Sequence, residues 1–106
     1  MLFRSVRLLR YLREHPRRAA FLRAMPRSGA PGSLQDRFQT TALAGRVVAK
    51  TGSINQVNAL SGYIERPDAS VLIFSILANN HTAPYARALR QVDAVVSEVE
   101  RWSREQ

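Results

Sequence analysis

The 106-residue chain reads as an α+β unit, an antiparallel meander of strands with a long helix packed on it. Three observations carry that reading. Residues 46–77 hold three apolar or β-branched runs separated by short turn-forming stretches. From Pro84 onward, apolar residues recur every three or four positions. Short turns between the strand-like runs imply an antiparallel meander, and the long amphipathic helix after it covers one sheet face.

Residues 2–14, LFRSVRLLRYLRE, place apolar side chains at 2, 3, 6, 9 and 12 and arginines at 4, 7, 10 and 13. That spacing predicts an amphipathic helix. His15-Pro16 ends it, because the residue before a proline is pushed out of the α region. A second short helix is expected over Arg17–Met25. Residues 26–33, PRSGAPGS, form a loop by composition, and Ser33 is placed to cap a short turn through Leu34–Phe38.

The first strand is expected over Arg46–Lys50, ending at the Thr-Gly pair, and the second over Val57–Ile64. A turn follows at Arg66–Ala69. Val71–Leu77 is a nearly continuous apolar run, which suits a strand buried on both faces. In the last helix, Ala88, Val92, Val95, Val99 and Trp102 form the expected core stripe, widened by Leu89 and Val96, with Thr82 a candidate N-cap.

Composition narrows the function classes. Hydrophobic residues make up 45% of the chain, enough for a modest core, yet no apolar run reaches the length of a membrane span. There is no cysteine, so disulfides and thiolate metal sites are excluded while the redox compartment stays open. His15 and His81 are isolated histidines with no convergent ligand set, which reads as solvated rather than metal-bound, and no cofactor is called for.

The net charge of +8 is unevenly placed. Residues 1–27 hold eight arginines against Glu14 alone, a net +7, while residues 28–106 carry a net +1. The chain therefore divides into an arginine-rich helical head, residues 1–25, and a nearly neutral part, residues 26–106. Such a head fits nucleic acid or anionic lipid as partner. Only Phe3, Tyr11 and Phe21 offer stacking surfaces there and no nucleic-acid motif is present, so a solvated arginine face is the sufficient reading.

The residues with the most chemical content are Lys50-Thr51-Gly52, followed by Ser53. A lysine at a strand end offers a fixed positive charge and a threonine hydroxyl donates to a carboxylate. A glycine lets a ligand backbone approach closely. Ser61 and Ser75 are nucleophiles by residue type only, with no base near them in sequence.

The context of that motif resembles one family. The stretch Ala49 to Ile64, AKTGSINQVNALSGYI, is similar to the D-alanyl-D-alanine carboxypeptidase/endopeptidase group of low-molecular-weight penicillin-binding proteins, the S13 serine peptidases. The likeness extends to the Pro26–Phe38 loop with Gly32-Ser33-Leu34 and Arg37-Phe38, and to the Leu60–Tyr63 strand. It continues through the apolar strand ending at Asn79-Asn80 and through Asp93 among the valines of the last helix.

The resemblance implies the C-terminal portion of a penicillin-binding-protein/β-lactamase-like transpeptidase domain. It implies that Lys50 holds positive charge in the active site and that Thr51 binds the terminal carboxylate of a D-Ala-D-Ala stem peptide or a β-lactam. Gly52 would keep the strand edge open, and the backbone N–H of Ser53 would be one oxyanion-hole donor. The family's setting is periplasmic or extracytoplasmic, although the head is no signal peptide, because arginines interrupt every apolar stretch before an h-region of about seven residues can form.

The family's nucleophile motif, Ser-x-x-Lys, is missing from these residues: Lys50 is the only lysine, so no second such motif can be built. Ser53-Ile54-Asn55 spells the family's Ser-x-Asn pattern by coincidence, since it adjoins the strand motif. The expectation is a fragment of the enzyme, inactive by itself, with an uncovered sheet edge and an apolar face that favour self-association.

Overall fold

Sequence alternation becomes an antiparallel sheet of order β1-β2-β3, with β1 spanning Val47–Ile54, β2 Val57–Glu65 and β3 Val71–Asn79. The structure is a computed structural model and describes residues 2–54, 57–79 and 84–105. Ahead of the sheet lie α1 (Leu2–Glu14) and α2 (Arg18–Ala24); after it comes α3 (Tyr85–Arg104). The α+β class and the meander with a packed terminal helix are as the sequence predicts. The candidate cap Thr82 and the histidine His81 lie outside the described residues, as do Asn55 and Asn80.

Register assigns the two faces. Val47 pairs with Ile64 and Ala49 with Gly62, while across β2 Leu60 pairs with Ile76 and Gly62 with Phe74. These residues share the face covered by α3, where Val47, Ala49, Leu60, Ile64 and Phe74 form one core with Val92 and Val96. The loop before β1 completes that core with Leu34, Phe38 and Leu43. On the opposite face stand Val48, Lys50, Ser61, Tyr63, Ile73 and Ser75. There α1 packs across β2 and β3, and the buried Tyr63 hydroxyl donates to the Leu9 carbonyl at 2.5 Å. The hydroxyl thus keeps a partner where water is excluded.

Gly62 is dictated by this packing. A Cβ there would sit 2.2 Å from the Val48 carbonyl oxygen and 2.5 Å from the Ala49 Cα. The "Leu-Ser-Gly-Tyr" strand therefore needs its glycine so that β1 can lie close against it.

Three expectations are corrected. The first strand does not end at Lys50; β1 runs on through Thr51, Gly52 and Ser53, paired with Leu60, Ala59 and Asn58. β3 is not buried on both faces: only Phe74 is buried and Leu77 is exposed, because β3 is an edge strand. On α3 the buried row is Ala88, Val92, Val96 and Glu100, whereas Val95, Val99 and Trp102 are exposed. The reason is geometric. The sheet touches α3 along one i, i+4 row, and three strands are too narrow to cover the adjacent row.

Candidate active-site strand

β1 is the other edge of the sheet, and half of its outer side is covered by the chain itself. Pro26, Arg27 and Ser28 run antiparallel beside it as a strap, with Arg27 bridged to Val48. The Ser28 N–H donates to the Val47 carbonyl at 2.9 Å, and the Ala49 N–H donates to the Pro26 carbonyl at 3.0 Å. On the other side the Glu65 N–H donates to the Arg46 carbonyl at 2.8 Å. Even-numbered residues of β1 therefore turn their backbone groups to β2, and odd-numbered ones turn theirs outward.

The strap stops at Ala49, and the Lys-Thr-Gly motif starts at the next residue. By the same alternation, Thr51 and Ser53 aim N–H and C=O groups outward from the sheet edge. Their N–H groups meet no partner among the described residues. This is the arrangement in which an extended ligand can add to a strand edge through backbone hydrogen bonds.

Thr51 is half-buried, while Lys50, Gly52 and Ser53 are exposed. The Lys50 ammonium donates to the Thr51 carbonyl, which holds the cation at the open end of the strand. At Gly52 an added Cβ would find only the Ala59 methyl, at 3.8 Å. Nothing among the described residues requires glycine there, in contrast to Gly62.

A contact that sequence order conceals lies behind the motif. Lys50 pairs with Ser61, and Ser61 pairs with Ser75, so the three form a row across the face that carries α1. The Ser61 and Ser75 hydroxyls are 2.7 Å apart and bond each other. Each has its hydrogen-bond partner in the other, which supports the structural reading of both serines.

The strap is pinned by side chains. Arg27 grips Glu65 with both arms, Nη1 to Oε1 at 2.5 Å and Nη2 to Oε2 at 3.2 Å, and Nη1 also donates to the Gly45 carbonyl at 3.0 Å. The hydrogen bonds from Arg27 hold the Glu65 carboxyl below its ordinary pKa, against a smaller opposing push from burial. The Ser28 hydroxyl accepts from the Val47 N–H at 3.4 Å. Behind these, Arg46 at the foot of β1 donates through Nε to the Glu65 carbonyl at 2.6 Å and through Nη1 to the Ala42 carbonyl at 2.9 Å. Sequence reasoning missed Arg27, Arg46 and Glu65. The antiparallel register of the first two strands would have pointed to them, since it sets the start of one opposite the end of the other.

The fold and its edge motif define a class, a part of a transpeptidase-type α+β domain bearing the Lys-Thr-Gly strand. The profile of the D-Ala-D-Ala carboxypeptidase 3 (S13) family matches residues 5–99, and the chain belongs to that family. The match begins inside α1, so the arginine-bearing helices lie within the family's span. The chain is 44% identical over 64 residues to a D-alanyl-D-alanine carboxypeptidase of Actinomadura sp. (strain R39), covering 60% of this chain and 12% of that protein. It is 38% identical over 60 residues to carboxypeptidase DacB of Mycolicibacterium smegmatis, covering 53% of this chain and 13% of that protein.

Penicillin binding protein 4 (dacB) from Haemophilus influenzae superposes with a TM-score of 0.66 at 22% identity, covering 74% of this chain and 18% of its own. A second structure of that protein, complexed with a β-lactam, gives a TM-score of 0.66 at 20% identity and covers 91% of this chain and 23% of its own. These likenesses establish the fold. The chain spans between 12% and 16% of the length of the curated relatives it matches.

Proposed function

We propose that this chain supplies the Lys-Thr-Gly wall of a serine D-Ala-D-Ala carboxypeptidase/endopeptidase site that acts on peptidoglycan stem peptides and is acylated by β-lactams. The observation that carries this reading is the strap that stops at Ala49, leaving the outward N–H groups of Thr51 and Ser53 open beside the Lys50 ammonium. In this reading Thr51 donates its hydroxyl to the substrate's terminal carboxylate, and Lys50 supplies the positive field around it. Gly52 leaves room for the ligand backbone. The outward Ser53 N–H is one of the donors that stabilise the tetrahedral oxyanion when a serine hydroxyl attacks the penultimate D-alanine carbonyl.

The head, residues 1–25, supplies the helix α1 that packs on the second face of the sheet, and residues 26–106 carry the site. The reacting serine comes from a Ser-x-x-Lys that these residues do not contain. The setting is periplasmic or extracytoplasmic, as the family's chemistry on cell-wall peptides requires; no helix among the described residues is long and apolar enough to cross a membrane. The alternative of a basic module for nucleic acid draws no support from the relatives. Self-association through the outer edge of β3 belongs to the same reading and is checked by sedimentation.

The test uses a fluorescent penicillin. The chain alone should show no label that survives denaturation. Joined to a polypeptide carrying Ser-x-x-Lys and Ser-x-Asn, it should support labelling that Lys50→Ala reduces at least a hundredfold. Covalent label on a serine of these 106 residues, or labelling indifferent to Lys50→Ala, overturns the reading.

A further inference from the structure

A cavity lies away from the Lys-Thr-Gly edge, where the end of α1, α2 and the β2–β3 turn meet. It measures about 410 Å³, and its walls include Arg13, Arg18, Tyr63, Glu65, Arg66 and Ser70. That volume falls within the range of small-molecule clefts. Three of the six are arginines, each from a different element.

The acids nearby are already engaged. Glu65 is held by both arms of Arg27, and Asp68 accepts from the Ser70 N–H at 3.0 Å and the Ser70 hydroxyl at 2.6 Å. The arginines are engaged only in part: the Arg13 charge acts on Glu65 and the Arg66 charge on Asp68, with no hydrogen bond between them. The Arg13 Nε and the Arg66 Nε are buried, and neither has a hydrogen-bond partner. Arg66 uses one arm on the Ser103 hydroxyl at 2.8 Å. The guanidinium groups of Arg13 and Arg18 make no hydrogen bond or ion pair among the described residues. The Arg13 charge also acts on its surroundings, opposing the upward push that burial gives the Tyr63 hydroxyl.

Guanidinium N–H groups taken out of water without an acceptor are unfavourable, and the natural acceptor is an oxyanion. A carboxylate is planar and offers one edge. A phosphate is tetrahedral and can meet forks from several directions, and the three arginines that line this cavity come from three separate elements. We infer that this pocket binds a phosphate oxyanion between Arg13, Arg18 and Arg66. The assignment is independent of the Lys-Thr-Gly site and says nothing of nucleic acid.

The full chain is titrated with inorganic phosphate while the arginine Nε–H resonances are followed by NMR. The expected result is saturable movement of Arg13 and Arg66, with affinity at least tenfold lower in Arg13→Gln/Arg18→Gln. The control Arg4→Gln/Arg23→Gln removes the same two charges elsewhere and should bind as the parent does. Arg18→Gln alone changes an exposed residue and should weaken binding with the fold intact by circular dichroism. Vesicles of phosphatidylglycerol then identify the source. Binding lost in the pocket variant assigns a lipid headgroup, and binding unaffected by it assigns a soluble phosphate or phosphoester. Absence of saturable movement, or equal weakening in both double variants, overturns the assignment.

Discussion

Arg37 and Asp93 stand 56 residues apart in the chain and meet as a two-pronged ion pair, with Arg37 Nε 3.1 Å from Oδ2 and Nη2 2.5 Å from Oδ1. Their side chains are 11% and 19% exposed, so the pair is largely out of water. It ties the loop before the Lys-Thr-Gly strand to the helix on the far side of the core. Phe38, next in sequence, is buried in that core with a positive φ of 64°, a conformation that only firm anchoring on both sides sustains.

Breaking that pair is predicted to be costly. Asp93→Asn leaves a mostly buried guanidinium without its counter-charge and should lower unfolding free energy by about 3 kcal/mol. Arg37→Lys keeps the charge but loses the fork, and should recover only part of it. Urea denaturation of the three proteins checks both statements.

The two glycines of the edge should respond in opposite ways. Gly62→Ala forces a Cβ into the backbone of β1 and should destabilise by about 1–3 kcal/mol or more. Gly52→Ala meets only a methyl at ordinary contact distance and should leave thermal stability nearly unchanged. Joined to the nucleophile-bearing part, however, Gly52→Ala should slow acylation by a β-lactam. Equal melting temperatures for Gly62→Ala and the parent would contradict the close approach of β1 to β2.

Acid should loosen the strap before it melts the core. Glu65 has its carboxyl pKa lowered by Arg27, so the folded form binds its proton less readily than the unfolded chain does. The contribution is complete above the ordinary value of 4.5 and fades as pH falls through the depressed folded value. Protection of the Ala49 and Ser28 amides, taken relative to their intrinsic exchange rates, should therefore fall as pH drops below the ordinary carboxyl range. In Glu65→Gln this acid-induced loss of protection should be absent.

On α3 the expected and observed stripes separate cleanly by mutation. Val92→Ala and Val96→Ala empty core positions and should each cost roughly 1–2 kcal/mol. Val95→Ala and Val99→Ala alter exposed residues and should stay within about 0.5 kcal/mol. Chemical denaturation of the four variants decides which row faces the sheet.

Local chemistry was legible in the sequence. Helix α1 could be read from its arginine and leucine spacing, its end from His15-Pro16, and the meander from three apolar runs with turn residues between them. So could the motif Lys50-Thr51-Gly52 and the family it resembles, because short-range pattern and side-chain type are written residue by residue. Pairings across the chain were not. The strap on β1, Arg27 on Glu65, Arg37 on Asp93 and the row Lys50, Ser61, Ser75 depend on register and on which elements share a face. The same holds for α3, where helical spacing allowed either valine row and the width of a three-stranded sheet selected one. By itself the sequence determined that Lys50, Thr51, Gly52 and Ser53 stand together in a motif of the family it resembles. Only the tertiary structure decided that they stand on an open edge, because the strap that covers β1 stops at Ala49, where long-range contacts place it.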